Sequence, residues 1–258
     1  MADHRVCVVT GASQGIGRAI AVELGSRGDV VVLAARNLSG LDESAASVGA
    51  AGGIPVVVET DVTDRVSVQR MVSTVVEAHG RIDVVVNNSG VGGPSGRLWE
   101  VEPDEWTETF AVNVFGVFLV SRSALPVMIE QGGGSVVVIG SMSGKRPLFG
   151  RSAYTTTKAA LVGLTRTLAA EAGPHGVRVN LVSPGFVAGP RLDWVIDAQA
   201  TARGVSPEEV RREFEAGAAL GRLTQPEDVA RTVAFLASEE SAGITGADMN
   251  VNSGVVMY

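Results

Sequence analysis

Lysine and tyrosine are almost missing from this 258-residue chain, which holds only Lys145, Lys158, Tyr154 and Tyr258. Cysteine occurs once, at Cys7, which excludes a disulfide framework and is compatible with a reducing compartment. The three histidines, His4, His79 and His175, show no metal-ligand spacing, so they read as surface or turn residues and no metal is expected. Basic clusters are absent too. Arginines are dispersed and the net charge is −7, which argues against nucleic-acid binding through phosphate neutralisation. No run of about 18 apolar residues stands out, so no membrane span is expected. A strand-like run starts at Arg5, leaving no room for a signal peptide. The expectation is a soluble cytoplasmic protein. Aromatic residues make up only 5 %, whereas glycine reaches 32 and valine and alanine abound, which favours close strand–helix packing over an aromatic-rich sandwich.

What is present is a strand–helix rhythm. Val-rich runs recur at Val6–Val9, Val30–Leu33, Val56–Val58, Val84–Val86, Val136–Ile139, Val177–Val182 and Met249–Val251. They are apolar on both faces, as buried parallel strands are. Between them lie helix-length segments at Gly15–Arg27, Leu41–Ala50, Arg65–His79, Pro103–Gln131, Ala153–Ala172 and Glu227–Ser238. Such alternation with right-handed crossovers predicts an α/β fold, a doubly wound seven-stranded parallel sheet of Rossmann type with helices on both faces. With no linker, residues 1–258 read as a single domain, and Gly132-Gly133-Gly134 reads as a helix-to-strand turn. Residues 186–223 break the rhythm. They contain no strand but two helices, Leu192–Ala202 and Pro207–Ala216, the second announced by Ser206-Pro207-Glu208-Glu209. This excursion reads as a substrate lid or as a packing or oligomer element.

The first strand runs into Thr10-Gly11-Ala12-Ser13-Gln14-Gly15-Ile16-Gly17. Glycines there let backbone amides approach a pyrophosphate, and the helix that follows offers its positive end. The second strand ends in Ala35-Arg36-Asn37, with no carboxylate to bind a ribose 2′-hydroxyl. Arg36 suits a 2′-phosphate, so NADP(H) is favoured, with NAD(H) as the alternative and a solvated Arg36 as the plain reading. Asp61 and Val62 follow the third strand. Asp61 is placed either at an adenine amine or as a helix cap. Strand four ends in Asn87-Asn88-Ser89-Gly90, a polar turn where ligands bind in open α/β sheets, or an ordinary asparagine turn.

At the other side lies Tyr154-Thr155-Thr156-Thr157-Lys158, which puts a phenol and an ammonium on one helical face. A held ammonium lowers a phenol from its usual value of about 10 and makes it a usable general acid/base. A solvated surface pair is the competing reading. Ser141 ends strand five, 13 residues before Tyr154, where its hydroxyl could polarise a carbonyl that Tyr154 protonates. Asn113 interrupts the apolar run Phe110–Phe115, either as a functional amide or as a satisfied core hydrogen-bonder.

Taken in order, the glycine turn, Asn87-Asn-Ser-Gly90, Asn113, Ser141, Tyr154-x-x-x-Lys158, Ser183-Pro184-Gly185 and Ile244-Thr-Gly246 resemble the short-chain dehydrogenase/reductase family over essentially the whole chain. The pattern is most similar to its 3-oxoacyl-carrier-protein reductases. The resemblance implies a hydride transfer between a nicotinamide cofactor and a ketone or secondary alcohol. Tyr154 would be the proton donor or acceptor, Ser141 would orient the substrate oxygen, and Lys158 would lower the Tyr154 pKa and bond the nicotinamide ribose. Asn113 would hold a water that links Lys158 to solvent. The implied cofactor contacts are Gly11, Ser13, Gln14, Gly15, Ile16, Gly17, Arg36, Asp61, Val62, Asn88, Ser89, Gly90, Tyr154, Lys158, Pro184, Gly185 and Val187. A homo-oligomer, tetramer or dimer, is also implied.

Three positions depart from the family pattern. Ser89 replaces an alanine, Gly189 stands where relatives carry a cofactor-bonding threonine, and Asn252-Ser253-Gly254 replaces the common D-G-G. Ser141, Met142, Leu148, Phe149, Tyr154, Phe186, Leu192 and Trp194 are the expected substrate contacts, with Ile196 beside them. They give a largely apolar pocket, unless the apolar ones serve lid packing. Acidic character and the lack of lysine or arginine in Ile129–Gly132 and Gly173–Gly176 favour free small-molecule ketones over carrier-bound acyl thioesters. A non-catalytic NADPH-binding regulator is a third reading, opposed by the complete Asn113, Ser141, Tyr154 and Lys158 set.

Overall fold

Valine-rich strands form the centre of the protein, and the inner ones are covered on both faces. The computed structural model describes residues 4–258. Its strands are β1 (Val6–Thr10), β2 (Val30–Ala35), β3 (Ile54–Glu59), β4 (Val84–Asn87), β5 (Gly134–Ile139), β6 (Val177–Pro184) and β7 (Asp248–Val251). They form one parallel sheet in the order β3-β2-β1-β4-β5-β6-β7. Strand side chains alternate between faces. Val6, Val8, Val30 and Val32 pack with α3 (Arg65–His79), α5 (Gly116–Glu130) and α6 (Ser152–Ala172). Cys7, Val9, Val31 and Leu33 pack with α1 (Gly15–Gly25), α2 (Leu38–Ala50) and α9 (Pro226–Leu236). This is the doubly wound Rossmann-type fold that the alternation predicts. The order reverses between β1 and β4, so the crevice for a ligand opens beyond their C-terminal ends.

The edges correct the picture of strands buried on both faces. On β3, Ile54 is 44 % and Val57 37 % exposed, because an outer strand has one neighbour and only partial helix cover. The segment expected as one helix over Pro103–Gln131 is interrupted. α4 (Pro103–Phe110) passes into a π-turn at Ala111–Phe115 before α5 begins. One inserted residue per turn is invisible to a 3.6-residue period, and such turns concentrate at functional sites. Within Pro103–Glu130 an 18-residue window with a mean hydropathy of 1.7 is apolar enough to cross a membrane by length and composition alone, although Asn113, Ser121, Arg122 and Ser123 keep the segment from being an unbroken apolar run. Half of that window is buried, and Val117, Leu119, Val120, Ala124 and Met128 of α5 belong to the core under the sheet.

Residues 186–223 carry α7 (Pro190–Arg203) and α8 (Pro207–Ala216), with the Ser206 side chain accepting from Glu209 N at the start of α8. Leu192, Ile196, Ala200, Val210 and Leu223 form a small core of their own, separate from the two sheet-facing ones.

Candidate active site

The turn after β1 is built from close backbone approaches. Gly11 has φ +65°, and a β-carbon added there would lie 2.9 Å from Asn88 Nδ2. One added at Gly17 would lie 2.2 Å from Gly11 O, so only glycine lets α1 start this near the strand. Asn88 braces the turn. Its amide donates to Thr10 O at 2.9 Å and Gly11 O at 3.2 Å, while the Asn88 and Ser89 backbone N–H groups donate to Thr10 Oγ1. Gln14, the N-cap of α1, makes no side-chain cap, and the first turn holds no acidic residue. By contrast, Asn37 and Asp64 cap α2 and α3. The first N–H groups of α1 are therefore left for an anion, an arrangement that fits a diphosphate. Ser13 is buried, Gln14 and Gly15 are exposed, and Ile16 leans on the core of that face.

Arg36 follows β2 with its side chain 69 % exposed, 3.7 Å from the Asp61 carboxylate. Asp61 does not cap α3, a task that falls to Asp64; it accepts instead from Thr63 N and Oγ1. Burial pushes the Asp61 carboxyl up, but the Thr63 bonds and Arg36 outweigh it and hold it below its usual range. Val62 is buried, packed on Gly116 at the start of α5. Pro184 ends β6, Gly185 backs against Asn252, and Val187 bridges to Thr224. Gly189 is the N-cap of α7 with φ +137°, a conformation L side chains rarely adopt. The missing threonine is thus matched by a local backbone that disfavours it.

The reacting end gathers on α6, the end of β5 and the π-turn. Lys158 is 5 % exposed, donates from Nζ to Ile139 O at 2.8 Å, and lies 5.8 Å from the Tyr154 ring centroid. Ser141 caps a short 3₁₀ turn, its Oγ accepting from Ser143 N, and its hydroxyl favours the ionised form of the neighbouring Tyr154 phenol. Asn113 is fully buried. Its Oδ1 accepts from Val91 N at 2.8 Å, and its Nδ2 donates to Val91 O and to Thr157 Oγ1. Both Nδ2 hydrogens and one Oδ1 lone pair are thereby used by protein groups, which favours the satisfied-core reading for the side chain. A β-carbon on Gly90 would lie 3.3 Å from Asn113 Oδ1 and 3.7 Å from Lys158 Nζ, so the turn after β4 meets the Lys158 ammonium.

Two further cations surround Tyr154. The guanidinium carbons of Arg151 and Arg191 each lie 5.5 Å from its ring centroid. Burial pushes the half-buried phenol up, but Lys158, then Arg191, the Ser141 hydroxyl and Arg151 together hold it below its ordinary value. Burial also lowers Lys158, opposed by Tyr154 and helped by Arg191. A phenol set among three cations can exist as phenolate nearer neutrality than a free tyrosine can.

The expected apolar pocket is not assembled. Met142 is 3 % exposed and Leu192 7 %, the latter inside the core of residues 186–223. Phe186 stacks on Phe214 at 4.1 Å. Leu148 and Phe149 line a surface depression of about 410 Å³ with Leu98 and Trp99, which does not include Ser141, Tyr154 or Lys158. Trp194 is 62 % exposed. Of the expected substrate contacts, only Ser141 and Tyr154 come together. An apolar residue in an irregular loop carries no periodic signal of the direction it faces, which is why composition misled.

Comparison with known proteins agrees with this arrangement. Residues 11–256 match a family model described as enoyl-(acyl carrier protein) reductase. A short-chain dehydrogenase/reductase of Armillaria gallica is 40 % identical over 257 residues, covering 98 % of this chain and 96 % of that protein. The chain belongs to the short-chain dehydrogenase/reductase family. As a member it is an oxidoreductase. Among solved structures, an actinorhodin polyketide ketoreductase with NADPH has a TM-score of 0.95 and 34 % identity, covering 99 % of this chain and 98 % of that one. An NAD⁺-bound xylitol dehydrogenase has a TM-score of 0.93 and 30 % identity, covering 98 % and 100 %. Sequence reasoning about this member missed Arg151 and Arg191. Arg151 was within reach, three residues before Tyr154 where a helix begins, a spacing that makes neighbours. Arg191 had no local signal, because only the fold brings α7 to α6.

Proposed function

We propose that this oxidoreductase is an NADP(H)-dependent carbonyl reductase, reversible as a secondary-alcohol dehydrogenase, with Tyr154 as its general acid/base. The observation that carries the reading is the buried Lys158 ammonium 5.8 Å from the Tyr154 ring, which with Arg191 and the Ser141 hydroxyl at the C-terminal end of β5 holds the phenol below its ordinary pKa. In reduction, Tyr154 gives its proton to the carbonyl oxygen while Ser141 donates a hydrogen bond to that oxygen and fixes its position. The phenolate left behind is stabilised by Lys158. In oxidation the same groups run in reverse. Asn113 acts as a positioning residue, tying Val91 to Thr157 and so keeping the turn after β4 against Lys158.

A bound nicotinamide supplies or accepts the hydride. The residues present fit its dinucleotide: the uncapped start of α1 for the diphosphate, and Arg36 with no carboxylate at the end of β2 for a 2′-phosphate. The NADPH-bound ketoreductase is compatible with that choice; the NAD⁺-bound xylitol dehydrogenase makes NAD(H) the alternative. Residues 186–223 serve as the substrate lid. Exposed Phe115 and Phe118, at 49 % and 43 %, give the π-turn and α5 an apolar outer face suited to the oligomer contact that the family resemblance implies.

An absorbance assay with NADPH and NADH over ketones, secondary alcohols and 3-oxoacyl thioesters tests the reading. Turnover of free ketones with NADPH ahead of NADH is expected. Turnover confined to thioesters replaces the proposal with acyl-thioester reduction, in line with the description of the family model.

A further inference from the structure

We propose that Arg151 and Arg191 form an anion-binding pair that selects ketones or secondary alcohols carrying a carboxylate a few bonds from the reacting carbon. The proposal deepens the carbonyl-reductase reading and rests on it for the reaction, though not for the anion site itself. Both guanidinium groups face the ring of the proposed general acid, at 5.5 Å each. They also converge on one point: a β-carbon built on Gly92 would lie 2.8 Å from Arg151 Nη2 and 3.1 Å from Arg191 Nη2.

Arg151 is half-buried and Arg191 exposed, and two like charges brought to one point call for a counter-charge. Arg151 is fixed, donating from Nη2 to Gly92 O at 2.7 Å and from Nη1 to Ser95 Oγ at 3.1 Å. Its Nε is buried with no partner. Burial and then Arg191 lower its pKa, the mark of a cation missing a counter-charge. Among the described residues neither guanidinium meets a carboxylate, although acids outnumber bases by 28 to 21. The nearest acid in sequence, Asp193, is taken by Arg211 at 2.5 Å. Arg191 also stands in the first turn of α7, whose Gly189 N-cap offers no side-chain bond, so the helix end adds to the positive field.

A planar carboxylate accepts from guanidinium forks in pairs, which fixes orientation as well as charge. Bound between Arg151 and Arg191, it leaves the rest of a short oxo acid directed at the Tyr154 hydroxyl and Ser141. The site then discriminates by charge at the place where an apolar pocket was expected. Arg151 reaches the loop after β4 through Gly92 and Ser95, whereas the cradle suited to a diphosphate lies at the turn after β1.

Two measurements test this. In the first, acetoacetate, levulinate and their methyl esters are reduced with NADPH by the wild type, Arg191→Leu and Arg191→Lys. The acids are expected to exceed their esters in kcat/KM by about tenfold or more, the effect of one charge-assisted hydrogen bond. Arg191→Leu is expected to bring acid and ester level, and Arg191→Lys to keep part of the preference. Equal use of acid and ester by the wild type overturns the proposal. So does a loss of NADPH affinity in Arg191→Leu that matches its loss of kcat/KM, since the arginine then serves the cofactor's phosphates.

The second measurement needs no turnover. Tyr154 is the only tyrosine left in Tyr258→Phe, so its phenolate absorbance can be titrated directly. An anion between Arg151 and Arg191 screens two of the charges that favour phenolate, leaving Lys158 and Ser141. Acetoacetate is therefore expected to move the titration to higher pH, and methyl acetoacetate to leave it in place. No shift with acetoacetate overturns the anion site whether or not any ketone is reduced. A shift without turnover upholds the site and sinks the carbonyl-reductase reading instead.

Discussion

Lys158 Nζ donates to the Ile139 carbonyl at 2.8 Å, so the ammonium is held by the end of β5 while it faces the Tyr154 ring at 5.8 Å. A buried lysine pinned in this way keeps its charge beside the phenol without depending on substrate.

The pH dependence follows. Alcohol oxidation needs the phenolate, so kcat/KM in that direction rises with pH through the Tyr154 pKa, which lies below the ordinary phenol value of about 10. Removing a neighbouring positive charge disfavours the phenolate and raises that pKa. Lys158→Met is therefore expected to move the rising limb to higher pH and to lower oxidation near neutrality. A pH–rate profile of the two proteins checks the direction.

Arg36 is expected to read the 2′-phosphate. Arg36→Ala should weaken NADPH by roughly 10- to 100-fold, the range of a charge-assisted hydrogen bond, and NADH much less. Fluorescence titration with both cofactors decides it; equal losses would mean that Arg36 serves Asp61 rather than a phosphate.

Gly189→Thr installs the threonine that the family resemblance implies at this position, in a backbone with φ +137°. Strain of about 1–3 kcal/mol is expected, seen as a lower melting temperature with no gain in NADPH affinity. A stabilised variant with tighter NADPH binding would show that the turn relaxes freely.

Asn113→Ala removes both bonds to Val91 and the bond to Thr157. Stability should fall by about 1–3 kcal/mol in all as the half-buried Val91 backbone groups lose their partner, read in a denaturant titration. A loss of kcat larger than the loss of NADPH affinity is also expected, since the brace holds the turn beside Lys158.

The fold was legible because its strands are Val-rich and its turns are marked by glycine and asparagine; each of the seven runs from Val6–Val9 to Met249–Val251 falls within a strand. Tyr154, Lys158 and Ser141 were legible because one helical spacing and one strand end place them. The π-turn around Asn113 was not, since an inserted residue leaves composition unchanged. Nor were the cations around Tyr154: Arg191 reaches the ring only through the docking of α7, and Leu192, expected in a pocket, turns into the core beside it.

The most direct test of the account is Tyr154→Phe, which deletes one hydroxyl and keeps the ring between Lys158, Arg151 and Arg191. Turnover of a ketone that the wild type reduces should fall by about 10²- to 10⁴-fold, the usual worth of a general acid, with NADPH binding retained. Turnover at the wild-type rate in that variant would contradict the assignment of Tyr154 as the proton donor.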